Sequence, residues 1–245
     1  MSHHPEVSVI VPAFNEEENI LPFIEEAATV LPTVAKAFEV IIIDDCSSDA
    51  TNQIVTAALS TYPWLKLIRN DVNIGCHPST LVGFSVAQFD CVLFLPSDRQ
   101  IPVSEVDTFL SARQHVDEVV YSWRRQRQDP LLRRVVSRCY NSVVRVLTGT
   151  RLHDIDSASM LTKGAVAKII PTIEARSAYI TVEILLAARE RGISVKEVEI
   201  QHRPRVAGIA RGLNFRDTFS SAISLIKLVL HVRCREKQVS KRIYG

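Results

Sequence analysis

The chain has 245 residues, 47% of them hydrophobic, enough for one large domain, or one domain with an appendage, around a substantial core. Its formal net charge is +2, so it carries no global basic signal for nucleic acid. Five cysteines (Cys46, Cys76, Cys91, Cys139, Cys234) are scattered without a CxxC pair, which argues against a disulfide framework and a zinc site and for a reducing, cytoplasmic setting. No signal segment opens the chain, and no run approaches the roughly 20 apolar residues that span a bilayer.

Val7 to Val11 is a continuous apolar run closed by Pro12, which predicts a central strand. Asn15 is placed to cap a helix running to about Val30, with Ile20, Phe23, Ile24 and Ala27 on one face and Pro22 in the first turn. Phe38 to Ile43 predicts a second strand, ending in Asp44 and Asp45. Ser47, Ser48 or Asp49 then caps a helix from about Thr51 to Leu59. A strand over Leu65 to Arg69, a polar loop with Gly75, and a helix of roughly Ser79 to Gln88 follow. The apolar run Cys91 to Leu95 predicts a buried strand that stops at Pro96-Ser97-Asp98. The first 100 residues therefore read as alternating strand and helix: a parallel sheet with helices on both faces.

In open α/β sheets, ligands bind at the carboxyl edge of the strands. Asp98 and Gln100 lie two apart, so in an extended segment they face the same way. A carboxylate and a carbonyl oxygen side by side suit a hard cation such as Mg2+ or Mn2+.

Further on, Val103 to Gln114 predicts a helix and Val119 to Ser122 a strand, followed by the basic loop around Arg124, Arg125 and Arg127. Leu131 to Leu147 reads as a long amphipathic helix. The polar segment Arg151 to Ser159 carries Asp154 and Asp156. A short strand and helix over Met160 to Ile170, a helix over Tyr179 to Arg191 and an edge strand over Val195 to Ile200 complete the domain. From Arg203 onward basic residues dominate. Asn214 to about Arg235 predicts an amphipathic, basic helix suited to packing, to an oligomer contact or to a membrane surface.

Seven stretches in this order resemble family 2 glycosyltransferases of GT-A fold, and within them the branch of polyprenyl-phosphate sugar transferases typified by dolichyl-phosphate mannose synthase. They are VSVIVPAFNEEENI from Val7, VIIIDDCSSDAT from Val40, NIGCHPSTLVGF from Asn73, VLFLPSDRQIP from Val92, VVYSWRRQRQDPLLRRVVSRCYNSVVRVLTG from Val119, LHDIDSAS from Leu152 and EVEIQHRPRVAGIARG from Glu197. The resemblance implies a catalytic domain over residues 1–212 followed by the 213–245 helix. It implies an inverting, metal-dependent transfer of a hexose from a GDP- or UDP-sugar to an acceptor, with a polyprenyl phosphate favoured.

It also implies residue roles. Pro12, Phe14 and Glu16 match the first nucleotide-contacting loop. Ile43 and Asp45 match the second, where the carboxylate receives base N–H groups. Ser97 and Asp98 match the donor and metal loop, with Asp98 and Gln100 as metal ligands. Arg124, Arg205 and Arg211 match cations that grip diphosphate or acceptor phosphate.

Three departures stand out. Pro96 occupies the place of the first acid of the family's D-x-D motif, which leaves Asp98 to hold Mg2+ or Mn2+ with substrate phosphates. The glycine-rich loop has become Asn73-Ile74-Gly75-Cys76-His77-Pro78, and the later S-G-F-R piece has become Ser157-Ala158-Ser159-Met160. Two other readings remain: a soluble hydroxyl acceptor with Asp154 or Asp156 as base, and a non-catalytic relative that binds nucleotide sugar or lipid phosphate. The expected location is cytoplasmic or peripheral on the cytoplasmic membrane face, with a membrane protein as a further candidate partner.

Overall fold

The computed structural model describes residues 5–125, 131–173 and 179–204. The expectations at Arg127, Arg205, Arg211 and the 213–245 helix lie outside these residues.

The elements follow in chain order: β1 (Glu6–Ala13), α1 (Glu17–Val34), β2 (Ala37–Asp44), α2 (Thr51–Ala58), β3 (Leu65–Arg69), α3 (Cys76–Val86) and β4 (Cys91–Phe94). Then come α4 (Glu105–Ala112), β5 (Glu118–Trp123), α5 (Leu131–Thr148), β6 (Ser159–Thr162), α6 (Lys163–Ile169), α7 (Ile180–Glu190) and β7 (Ser194–Glu199). The seven strands form one sheet in the order β3-β2-β1-β4-β6-β5-β7. β6 runs antiparallel to both β4 and β5, while the other pairings are parallel. Among the described residues β7 pairs with β5 alone and is the edge strand its alternating apolar and acidic pattern predicts.

Strand periodicity splits the core in two. Val7, Val9 and Val11 of β1, Val40 and Ile42 of β2, and Cys91 and Leu93 of β4 face α1, α2 and α4. Ile10, Ile41, Ile43 and Val92 face the opposite layer, with Phe84 of α3, Val144 of α5 and the buried run of α7. Continuous apolar strands are what a sheet covered on both faces requires. Gly83 lets α3 lie directly on β1, because a Cβ there would stand 2.2 Å from Ile10 Cγ2.

Some boundaries differ from the sequence reading. Helix α1 runs to Val34, and its N-cap position is Glu16 rather than Asn15. Pro22 sits in the second turn rather than the first, at the cost of one main-chain hydrogen bond. Asn15 instead adopts φ 52°, a left-handed conformation that Asn tolerates, and turns its amide to the next loop. For α2, the N-cap position is Ala50, while Asp49 accepts from the Thr51 N–H and hydroxyl. Trp64 packs against Phe38 and Tyr62, as a core-flanking residue.

Candidate active site

In chain order β1 leads by a crossover to β2 on one side, while β4 flanks β1 on the other. The sheet thus changes winding direction between β1 and β4, and a crevice opens there at the carboxyl edge. Three loops meet in it: 14–16 after β1, 45–50 after β2 and 95–100 after β4.

The first two loops are laced together. Asn15 N–H donates to Ser47 Oγ at 3.0 Å, and Asn15 Oδ1 accepts from Ser48 N–H at 2.8 Å. Glu16 N–H donates to Thr51 Oγ1, Glu17 N–H to Asp49 Oδ2, and Ala50 N–H to Glu17 Oε2. These contacts give the N–H groups at the start of α1 and α2 partners across the loops, where helix termini otherwise leave them orphaned. Of the residues assigned to the nucleotide, Phe14 and Glu16 lie half-buried on this rim. Glu16 Oε2 also accepts from Asn19 Nδ2 at 2.7 Å. Pro12 is inside β1, paired in register with Ile43, and the Ile43 side chain belongs to the core. Both lie buried near the carboxyl ends of their strands.

Asp45 is 2% exposed, and its carboxylate is mostly occupied. Oδ1 accepts from Asn70 Nδ2 at 2.8 Å and Ile74 N–H at 2.9 Å, and Oδ2 from Gly75 N–H at 2.8 Å. A carboxylate offers roughly four acceptor sites, so one remains for a ligand N–H. Asp45 thereby fixes the altered glycine loop, with Gly75 at φ 94° leading into α3. Sequence reasoning missed this second duty, although the donors lie on an adjacent segment. Asp44 points into the same network, accepting from Ser47 N–H and Asn52 Nδ2.

The 95–100 loop is held on both sides. Asp98 Oδ1 accepts from Gln100 N–H at 3.1 Å, a short turn closed by the side chain. Arg99 adopts φ 58°, a strained setting for a long side chain. Ser97 is buried. Gln100 is buried as well; its main-chain oxygen accepts from Arg203 N–H at 2.7 Å, and its Nε2 lies 3.5 Å from the Arg203 carbonyl. Gln100 thus braces the segment leading toward residue 205, with Oε1 its one metal-capable atom.

Glu26 of α1 completes the brace. Its carboxylate accepts from Val103 N–H at 3.2 Å, pairs with Arg203 at 3.1 Å and lies 3.9 Å from Arg99 Nε. No motif pointed to it, because its partners are far away in sequence.

Arg124 follows β5 and is committed to an acid. Nε donates to Asp154 Oδ2 at 2.7 Å, Nη2 to Asp154 Oδ1 at 3.1 Å and to the Asp156 carbonyl at 2.7 Å. Asn141 of α5 reaches the same carboxylate at 3.4 Å. The Arg124 charge is therefore offset locally by a bidentate partner. Asp156, by contrast, is 57% exposed, with His77 Nε2 at 4.0 Å.

Cys76 sits where these acids converge. The residue is open to the crevice, yet enough protein surrounds its thiol that desolvation leads in pushing it up to about 12, with the charges of Asp156, Asp45 and Asp98 adding to the rise. Burial and the neighbouring acids thus favour the neutral thiol, which is a poor nucleophile. The same convergence marks a negatively charged crevice of hard oxygen donors, which fits Mg2+ or Mn2+ completed by phosphates. Among the described residues no group of three or more His, Cys, Asp or Glu forms a self-sufficient metal cluster.

Residues 8–169 match the model of glycosyl transferase family 2. The chain is 27% identical over 211 residues to an undecaprenyl-phosphate 4-deoxy-4-formamido-L-arabinose transferase of Edwardsiella ictaluri, covering 85% of this chain and 65% of that one. It is 28% identical over 206 residues to the enzyme of the same name in Pectobacterium carotovorum, covering 84% and 62%. The chain thus spans less than two thirds of the length of these relatives.

Among solved structures, a mannosyltransferase of Pyrobaculum calidifontis in complex with GDP-Man and Mn2+ superposes with TM-score 0.64 at 15% identity, covering 95% of this chain and 70% of that one. Glucosyl-3-phosphoglycerate synthase of Mycobacterium tuberculosis in complex with UDP gives 0.63 at 15% identity, covering 93% and 80%. At this identity the likeness establishes the architecture, a mostly parallel mixed sheet flanked by helices, of GT-A type. With two thirds of its length matched by the family model, the chain belongs to glycosyl transferase family 2.

Proposed function

We propose that the protein is an inverting glycosyltransferase that moves a hexose from a GDP- or UDP-sugar to a polyprenyl phosphate. The observation that carries this is the convergence of the 14–16 loop, the Asp45-anchored 73–75 loop and Asp98 at the change of winding between β1 and β4. The names of the matched relatives and the nucleotide and Mn2+ complexes of the structural neighbours support the same reading.

In this reading Phe14, Glu16 and the remaining acceptor site of Asp45 hold the base and ribose, with Pro12 and Ile43 shaping the floor. Ser97 and Asp98 meet the diphosphate. Asp98 holds Mg2+ or Mn2+, and Gln100 keeps the loop that presents it. A bound divalent cation neutralises charge on the leaving diphosphate. Arg205 and Arg211 bring positive charge to the phosphates, while Arg124 positions the Asp154–Asp156 segment. A phosphate-monoester acceptor is largely dianionic at neutral pH, with its second pKa about 6, and needs no general base. Attack from the face opposite the diphosphate inverts the anomeric carbon.

One observation favours a second reading. Asp156 is exposed to the crevice while Asp154 is locked to Arg124, so Asp156 is placed to act as base for a hydroxyl acceptor. The assay is a panel of labelled GDP- and UDP-sugars with Mn2+, with and without polyprenyl phosphate. Label entering the lipid fraction only when the lipid is present is the expected result. Transfer to soluble hydroxyl compounds, abolished by Asp156→Asn, would replace the first reading with the second.

The Glu26 brace gives a further expectation. Glu26→Gln should raise the Mn2+ concentration for half-maximal transfer several-fold while leaving base binding intact, because its partners are Arg99, Val103 and Arg203 rather than the nucleotide loops. Titrating Mn2+ at saturating donor measures it. An unchanged Mn2+ curve with a lowered melting temperature would make Glu26 structural only.

A further inference from the structure

A cavity of about 440 Å³ lies between the C-terminal end of α5, the second half of α7 and β7. It shares no lining residue with the 14–16, 45–50 and 95–100 loops. Its size falls in the range of small-molecule pockets, roughly 300–1,000 Å³. The floor is apolar: Leu152 and Leu185 are buried, and Val195 is partly so. The polar groups are mostly donors. Arg151 is exposed, and among the described residues its guanidinium has no hydrogen-bond or ion-pair partner. Arg189 gives Nη1 to the Thr148 carbonyl at the end of α5 and meets no acid among the described residues, so further N–H groups of its fork remain to spend. Thr150 is 7% exposed; its Oγ accepts from Leu152 N–H at 3.3 Å, and no described acceptor takes its O–H.

Glu197 is the acid among the described lining residues, and its oxygens are taken. Oε1 accepts from His153 N–H at 2.7 Å and Asp154 N–H at 3.1 Å, and Oε2 pairs with His153 Nδ1 at 2.7 Å. We propose that this cavity binds a soluble phosphate monoester. Two guanidinium groups and a buried hydroxyl offer donors to one oxyanion, and the Arg fork matches phosphate geometry. A phosphate monoester is largely dianionic at neutral pH, so it offsets both arginines at once. Leu152, Leu185 and Val195 receive its carbon part.

Occupancy would stiffen one wall of the crevice. Leu152 belongs to the cavity floor, and Glu197 holds the His153 and Asp154 N–H groups just ahead of Asp156. A ligand clamped between Arg151 and Arg189 therefore restrains the segment that carries Asp154 and Asp156. The cavity binds its phosphate through the chain's own arginines, with no divalent cation, so the proposal does not depend on the transferase reading.

The test is calorimetric titration of the full chain with phenyl phosphate, in EDTA so that no divalent cation serves the crevice. Saturable binding is expected, with benzoate, a single charge on a similar body, about tenfold weaker. Arg151→Gln should weaken binding about tenfold and Arg151→Glu should abolish it, while Arg151→Lys keeps part of it. All three should melt at the unaltered temperature, because Arg151 has no partner in the described fold. Amide exchange at Leu152, His153 and Asp154 should slow when phenyl phosphate is bound. Absence of binding by the unaltered chain, or binding that survives Arg151→Glu, overturns the proposal. So does protection confined to the 45–50 and 95–100 loops. Farnesyl phosphate binding ten times tighter or more, through Arg151, would make the cavity a lipid-phosphate site and overturn the soluble assignment.

Discussion

Asp98→Ala is expected to lower sugar transfer by about 100-fold or more and to remove the Mn2+ dependence of UDP or GDP binding. The size follows from the loop's composition. Pro96 has no side-chain donor, and Gln100 is buried with its amide nitrogen against the Arg203 carbonyl. Asp98 is then the one acidic side chain within the 95–100 loop that can meet a cation. Its Oδ1 also closes the turn onto Gln100 N–H, so Ala removes both the ligand and the turn. Asp98→Asn separates the two, because an amide oxygen keeps the turn but loses the negative charge. Transfer by Asp98→Asn should sit closer to Ala than to the unaltered enzyme. Calorimetric titration of UDP and GDP with and without Mn2+ measures the binding term, and steady-state kcat measures the rest. Metal-enhanced nucleotide binding that persists in Asp98→Ala would remove Asp98 from the metal site.

Asp154→Ala is expected to destabilise the fold by about 2–4 kcal/mol, a little below the usual cost of orphaning a fully buried charge because Arg124 retains 14% exposure. It would leave Arg124 facing a cavity and deprive Asn141 of its acceptor. For a chain of this size the melting temperature should fall by roughly 5–12 °C. Adding Arg124→Met should recover part of that loss, since most of the penalty is a guanidinium charge that has lost its carboxylate. If the double variant melts no higher than the single one, the pair is not what holds the 150–158 segment against β5. Activity should fall in both, because Asp156 rides on that segment.

The first four strands were legible because their signals are local. Each apolar run from Val7, Phe38, Leu65 and Cys91 is followed by its own helix, and the boundaries of β3 match the predicted strand. Asp98 and Asp45 could be placed at the sheet edge for the same reason: each directly follows a buried strand. What the sequence hid is pairing across distance. Nothing in Asp45 announces that Asn70, Ile74 and Gly75 claim its oxygens, and nothing in Arg124 announces that Asp154 answers its charge. Glu26 was invisible because a helix-surface glutamate has no local reason to clamp Val103 and Arg203. Helix caps were misread by one residue at Asn15 because Ser47 and Ser48, more than 30 positions on, draw its groups away.

The antiparallel strand β6 bears on how the protein is made. β1, β2 and β3 pair across short stretches of chain, whereas β4 reaches β1 by setting Cys91 opposite Val7, the longest span among these strand pairs. Contacts between distant parts of a chain are the slower ones to form. β6 joins β4 and β5 with Cys91 opposite Thr162 and Val119 opposite Leu161, so its slot can be filled only once the chain has been made through Thr162. A nascent chain that has just completed β4 would carry the loops after β1, β2 and β4 before the rim with Asp154 and Asp156 exists.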